Sequence, residues 1–242
     1  MHHHLFARIL DSFGQPVTPY FLVDTDKDKV RAGLSGAKSL GVDAAGNAVV
    51  VWETQPDVIV PEQTAILGQR FSPDGERLGN TFRINRPGPG IQILPSVAVN
   101  PGGDFVAVWQ YQPDEHTPRS LRARHFSKDG KPMGEEFVVE ADSITDRVAP
   151  SIAADPQGNY VVVWTSDGPH FCTSVKGRLF RPDDKPAGPS FYLSSRADFC
   201  DEFPRVAFGP QGTFAAVWER SAGIGESDIY AAVFRAGPVG GR

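Results

Sequence analysis

One sequence unit is written four times along this chain, and a recurrence of that length constrains the fold more than any single residue does. Trp52, Trp109, Trp164 and Trp218 stand 57, 55 and 54 residues apart. Phe71, Phe126, Phe180 and Phe234 trail them by 16 to 19 residues, at spacings of 55, 54 and 54. A period of this size marks an array of supersecondary units, and its length suits one four-stranded propeller blade. The expected fold is therefore all-β: a β-propeller of about four blades, or a piece of a larger one. Residues 1–242 read as a single repeat domain, with units over 1–33 (a half unit), 34–90, 91–146, 147–200 and 201–242 (incomplete).

Each unit opens on a strand of the type Pro95-Ser96-Val97-Ala98-Val99, Pro150-Ser151-Ile152-Ala153-Ala154 or Pro204-Arg205-Val206-Ala207-Phe208, with Lys38 to Val42 as a degenerate copy. A tight turn follows, such as Asp155-Pro156-Gln157-Gly158-Asn159, where Pro presets φ and Gly supplies a positive φ near the end. The second strand is an apolar run ending in tryptophan, Phe105 to Trp109 or Tyr160 to Trp164. Its lack of polar alternation predicts a strand covered on both faces. The third strand (Ile66 to Phe71, Leu121 to Phe126, Val175 to Phe180, Ile229 to Phe234) has a small residue two places in, where a backbone or a large ring such as the tryptophan is expected close by. A second turn, for example Ser72-Pro73-Asp74-Gly75, leads to a short fourth strand beginning at Phe82, Phe137 or Phe191. At the N-terminus, Leu5 to Leu10 and Phe21 to Asp24 form a third and a fourth strand with no first or second. The last unit stops after its third strand. The N-terminal fourth strand is thus expected to complete the last unit, a closure that leaves one third strand in surplus.

The string Pro-x-Val-Ala, Gly-x-Phe-Val-x-Val-Trp, Ile-x-Ala-Arg-x-Phe, Gly-x-Pro-x-Gly, Glu-Phe resembles repeats of large bacterial surface and secreted proteins. The resemblance spans nearly the whole chain and implies a propeller-like architecture and an extracellular, cell-surface or periplasmic location. It carries no catalytic motif, and likeness of fold is a weak warrant for function.

Composition narrows the partners. Forty per cent apolar and 22% charged residues are ordinary for a globular chain, and a net charge of −5 gives no reason to expect nucleic acid. No apolar run approaches the roughly 20 residues of a membrane helix, so membrane insertion is not expected. Met1-His2-His3-His4-Leu5 lacks the apolar stretch of a secretion signal; its histidines read as a cloning remnant, ordinary sequence or a metal-binding tract. Unpaired strands at the two ends leave room for oligomerisation or for continuation of the array.

Chemistry is expected on one face. Strand alternation places the loops between second and third strands, and the connectors between units, together, and these long segments diverge while the scaffold repeats. Their residues are mostly acidic, which fits either solvated loops or an acidic mouth for a cation or a cationic partner. The candidate ligand-binding residues are Asp57, Asp114, His116, Asp167, His170 and Asp228, the two histidines reading as surface residues or as a metal pair. Asp24, Asp26 and Asp28 have the alternation of a calcium loop, but Lys29 and Ser35 stand where that loop needs Gly and Glu, so a solvated linker competes with calcium. No other cofactor is indicated. Cys172 and Cys200 both fall on the loop side of the third unit. A disulfide closing this interval would stabilise by about 3 kcal/mol and fit an oxidising compartment; two unbridged thiols are the alternative.

With no metalloprotease, phosphate-loop or nucleophile-elbow motif, the leading expectation is a non-catalytic binding or adhesion module for a protein or carbohydrate ligand. The alternatives are a glycoside hydrolase using paired carboxylates from Asp57, Asp114, Asp167 and Asp228, and a structural spacer.

Overall fold

The structure is a computed structural model and describes residues 4–24, 39–54, 64–140, 146–167, 172–194, 199–209, 212–223 and 226–235. Among them there are seventeen strands and no α-helix. β1 (Phe6–Ala7) and β2 (Phe21–Leu22) form a two-stranded sheet. β3 (Ser39–Val42), β4 (Ala48–Thr54), β5 (Ala65–Phe71) and β6 (Phe82–Arg83) form the first four-stranded sheet. β7 (Ile91–Val99), β8 (Phe105–Gln112), β9 (Ser120–Phe126) and β10 (Phe137–Val138) form the second. The third contains β11 (Arg147–Ala154), β12 (Tyr160–Asp167), β13 (Thr173–Phe180) and β14 (Phe191–Tyr192). β15 (Cys200–Phe208), β16 (Thr213–Gly223) and β17 (Glu226–Arg235) make a final sheet of three. Strand order follows chain order in every sheet, so each is a meander, and the four-strand unit expected from the sequence is present in three of the sheets.

Among the described residues, the N-terminal fourth strand does not pair with the last sheet. β2 pairs with β1, Phe6 opposite Leu22 and Ala7 opposite Phe21, and the sheet ending in β17 has three strands. The reason lies in packing: Leu5, Ala7 and Phe21 lie against Val50, Trp52 and Phe71 of the β3–β6 sheet. β1 and β2 thus act as the third and fourth strands of their own sheet.

The chain falls into two compact units, Met1–Ala107 with Arg124–Glu136, and Val108–Ala123 with Phe137–Arg242, the division lying within β8 and β9. In the first unit, Phe82 tilts against Phe105 and Phe126, whose rings stack at 5.0 Å. In the second, Tyr160 stacks on Phe180 at 5.0 Å, and Val161 and Val163 pack with Phe214 of the next sheet. The second strands β4, β8 and β12 are therefore buried on both faces, as their unbroken apolar runs require, whereas β16 exposes Ala215 and Val217 on one face. All four tryptophans are buried, at 1, 0, 0 and 5% exposure. The close neighbour of the third-strand glycine is a fourth-strand side chain and not the expected tryptophan: a Cβ on Gly68 would sit 2.9 Å from the Phe82 ring, and one on Gly177 would sit 2.8 Å from Leu193.

Turn chemistry explains the hairpins. Asp43 Oδ1 accepts the N–H groups of Ala45 and Asn47 at 2.9 and 2.8 Å, and Asp155 does the same for Gln157 and Asn159. These Asx bonds close the turn between first and second strands. In the third sheet's second turn Asp184 takes the place of Gly75 and Gly130, with φ +62. Asp tolerates that left-handed conformation, and its Oδ1 accepts the Tyr160 hydroxyl at 2.9 Å.

Candidate functional site

Three first strands share one distortion. Leu94, Ala149 and Phe203, each directly before a proline, have φ +58, +52 and +52. The ladder slips there, between Val148 and Ser151 and between Glu202 and Arg205. A non-glycine residue held in this region costs on the order of 1–3 kcal/mol, so the surroundings must impose it. For Leu94 and Phe203 they do so from the preceding sheet, through the residue after its tryptophan. Glu53 Oε2 accepts the Leu94 N–H at 2.7 Å, and Thr165 Oγ1 accepts that of Phe203 at 3.1 Å. A bulge re-aims the side chains beyond it, and acidic residues stand beside two of these bulges: Asp146 directly before β11, and Asp201 and Glu202 within β15.

At β11 the register Arg147 opposite Ser166 carries on to Asp146 opposite Asp167. The Asp167 N–H donates to the Asp146 carbonyl at 3.3 Å, and the Asp146 N–H donates to Asp167 Oδ2 at 3.0 Å. Asp146 Oδ1 accepts the Arg119 N–H at 2.6 Å, and its Oδ2 lies 3.5 Å from the Arg119 guanidinium. Asp146 and Asp167 thus stand opposite each other across a strand pair, with the Arg119 guanidinium beside Asp146, in two different settings. Asp146 is fixed by a backbone donor and a charge, while Asp167 is an exposed strand end.

At β15 the acidic residues are arranged otherwise. Asp201 is fully buried and bidentate with Arg220, at 2.6 and 2.9 Å, and it also accepts the Trp218 indole N–H at 3.1 Å. The Arg220 guanidinium lies 4.0 Å from the Tyr230 ring centroid, and Asp201 raises its pKa. This set is a closed internal lock. Glu202 and Glu219 stand opposite each other nearby, and Glu202 accepts the Thr173 hydroxyl at 3.3 Å.

Of the residues singled out from sequence, Asp167 belongs to the opposed pair. Asp114 organises its own loop, accepting from the Thr117 hydroxyl at 2.8 Å and from the N–H groups of His116 and Thr117 at 2.9 Å. Those donors, the Thr117 hydroxyl first, hold its carboxyl below the usual range. His116 is exposed beside Glu115, and Asp228 is exposed on β17 opposite Arg220. Asp57 and His170 lie outside the described residues, as do Asp26 and Asp28.

Asp24 is fully buried: Oδ1 accepts the Leu5 N–H at 2.7 Å, and Oδ2 lies 3.1 Å from His4 Nδ1. Asn85 and Ser194 bind the equivalent N–H groups of Ile66 and Val175 at 2.7 and 2.9 Å, so Asp24 is a scaffold residue that ties a fourth strand to its third. The expected Cys172–Cys200 bridge is not formed. Cys200 opens β15 opposite Ser221, while Cys172 precedes β13 in the neighbouring sheet, so separate ladders hold the two thiols. No sequence signal pairs Asp146 with Asp167 or Arg119, because the pairing depends on counting the β11–β12 register past the bulge.

The sequence matches no protein-family model and no curated protein. Solved structures do resemble it. An endo-arabinase from Bacteroides thetaiotaomicron superposes with TM-score 0.59 at 13% identity, over 90% of this chain and 81% of that one. The chain has a β-propeller fold. A Penicillium chrysogenum α-L-arabinanase, complexed with arabinobiose, gives 0.57 at 15% identity, over 87% of this propeller and 68% of its own length. A Hadza microbial sialidase gives 0.61 at 12%, over 81% and 44%. These likenesses run against the expectation of a non-catalytic adhesion module: the similar structures named here are an endo-arabinase, an α-L-arabinanase and a sialidase.

Proposed function

We propose that this propeller is a glycoside hydrolase, with Asp146 and Asp167 as its working carboxylates and Arg119 as the residue that orients Asp146. The observation carrying the proposal is the opposed pair on the loop face, with the Arg119 guanidinium beside Asp146. Support for a carbohydrate substrate comes from the fold shared with the arabinanases and the sialidase. Directly opposed residues have Cβ atoms about 5 Å apart, which favours the short carboxylate separation, roughly 5–5.5 Å, of retaining enzymes. In that chemistry Asp146 attacks the anomeric carbon as the glycosidic C–O bond breaks, and Asp167 gives its proton to the departing oxygen. Water then donates a proton to Asp167, its oxygen bonds to the anomeric carbon, and Asp146 is released. An enzyme acting on polymeric glycan fits an extracellular location, in which the unbridged thiols have no part.

The test is release of reducing ends from arabinan and a panel of other polysaccharides, with NMR of the first-formed anomer. Asp146→Asn and Asp167→Asn should each lower kcat by about 10³-fold with the fold intact, and the product anomer should retain its configuration. Full activity in both variants removes the pair from the chemistry. An inert protein on the whole panel removes the hydrolase.

A further inference from the structure

Cys172 and Cys200 take no part in the carboxylate site, and they are unbridged as they stand. They belong to different sheets, yet the fold brings both to one place. β15 runs beside β11 in the same direction: the Phe203 N–H binds Thr165, which pairs with Val148, and the Val206 N–H binds Ser151 Oγ at 3.3 Å. β13 shares that direction, because β11 and β13 are both antiparallel to β12. The starts of β13 and β15 are level where the Thr173 hydroxyl donates to Glu202 Oε1 at 3.3 Å. Cys172 stands one residue before Thr173, and Cys200 two residues before Glu202. Both cysteines therefore lie on the loop-face side of that contact, and their heights differ by one residue, roughly 3.3 Å.

The backbone around them is held unequally. Cys200 is paired with Ser221 in the β15–β16 ladder and stays where that ladder puts it. The β12–β13 ladder ends at Asp167 opposite Thr173, so Cys172 lies one residue beyond the last pair. A disulfide needs Cα atoms roughly 4.4–6.8 Å apart. Turning the Cys172 backbone towards β15 approaches that span without breaking a ladder pair. Both side chains are half-buried, which leaves them open to attack by a small disulfide.

We propose that Cys172 and Cys200 are a reversible dithiol, which closes in an oxidising disulfide pool and ties β13 to β15 at the loop face. The thiolate of one cysteine attacks an incoming disulfide, here oxidised glutathione, and expels one glutathione thiolate as a mixed disulfide forms. The second cysteine loses its proton to solvent and attacks the protein sulfur of that mixed disulfide. The new S–S bond forms as the second glutathione leaves and takes up a proton. Two electrons pass from the cysteines to glutathione, and a reducing thiol reverses each step. The bridge restricts the unfolded chain and so stabilises the folded one. It also pins the end of the β12–β13 hairpin, where Thr173 stands opposite Asp167.

The experiment incubates the full, folded chain with oxidised glutathione and follows it by intact mass and peptide mapping. The chain should lose two hydrogens, and one peptide pair should contain Cys172 joined to Cys200. The melting temperature should rise by roughly 6–12 °C and fall back on adding dithiothreitol. The folded chain should close the bridge about tenfold faster, or more, than the same chain in urea, because the fold has already brought the thiols together. Cys172→Ser and Cys200→Ser should each stop at a single glutathione adduct, with no rise in melting temperature. Thiols that stay reduced, adducts that never resolve, or cross-links between two copies overturn the proposal. A bridge that closes no faster in the folded chain, or that leaves the melting temperature unchanged, overturns it too. None of these readouts uses glycan cleavage, so the outcome is independent of the proposed activity.

Discussion

Asp184 and Tyr160 show how one residue change is absorbed by its neighbourhood. The turn position demands a positive φ, and Asp184 accepts it while its carboxylate holds a phenol that is otherwise buried. Burial comes first, followed by the charge of Asp184, in pushing the Tyr160 hydroxyl far above the ordinary tyrosine value. The sign for stability follows directly. The folded pKa exceeds the unfolded one, so the unfolded chain loses this proton first, at about pH 10. The contribution is fully present below that pH and is lost as pH rises through and beyond it. Tyr160→Phe should therefore be less stable near neutrality by roughly 1–2 kcal/mol, through the missing hydrogen bond to a carboxylate. In strongly alkaline buffer its urea midpoint should approach that of the parent. Two curves that stay parallel from neutral to alkaline pH would remove Tyr160 from the titration.

The elements were largely written in the sequence, and the places where they were not share a cause. The tryptophan runs, the Asx turns and the short fourth strands follow from apolar runs and from Pro, Gly and Asp at fixed offsets. The first-strand bulge does not. Leu94, Ala149 and Phe203 have no residue type in common, and a residue before proline reads as extended backbone. Asp24 has two readings in the sequence, because the polar residue that ties off a fourth strand also begins an Asp-x-Asp-x-Asp run. The opposed Asp146 and Asp167 depend on register across a bulge, which no local pattern encodes. The bulge itself can be tested by two changes of opposite sign. Ala149→Gly relieves the left-handed strain, on the order of 1–3 kcal/mol, less the backbone entropy of glycine at about 0.5–1, and should raise stability by about 1 kcal/mol. Glu53→Ala strips the acceptor from the Leu94 N–H and should lower it by about 1–3 kcal/mol. Thermal unfolding of both variants checks the pair, and a glycine that destabilises at Ala149 as it does in a regular strand would show the strain to be absent.

For the molecule as a whole, repetition sets both the fold and the limits of inference from it. Four copies of one unit made the architecture readable, whereas the residues proposed for catalysis occur once and lie where the copies diverge. One further trait of the sheets bears on handling. β6, β10 and β14 are two residues each, so the outer rims of the four-stranded sheets end on strands too brief to template a stranger's chain. β17 runs for ten residues, Glu226–Arg235, and has only β16 beside it among the described residues. On prolonged warming, insoluble deposits should therefore be seeded from this stretch, and protease digestion of washed fibrils should leave a core containing Ile229 to Phe234. A core drawn instead from the buried β8 or β12 would mean that deposition starts from the unfolded chain and not from this exposed rim.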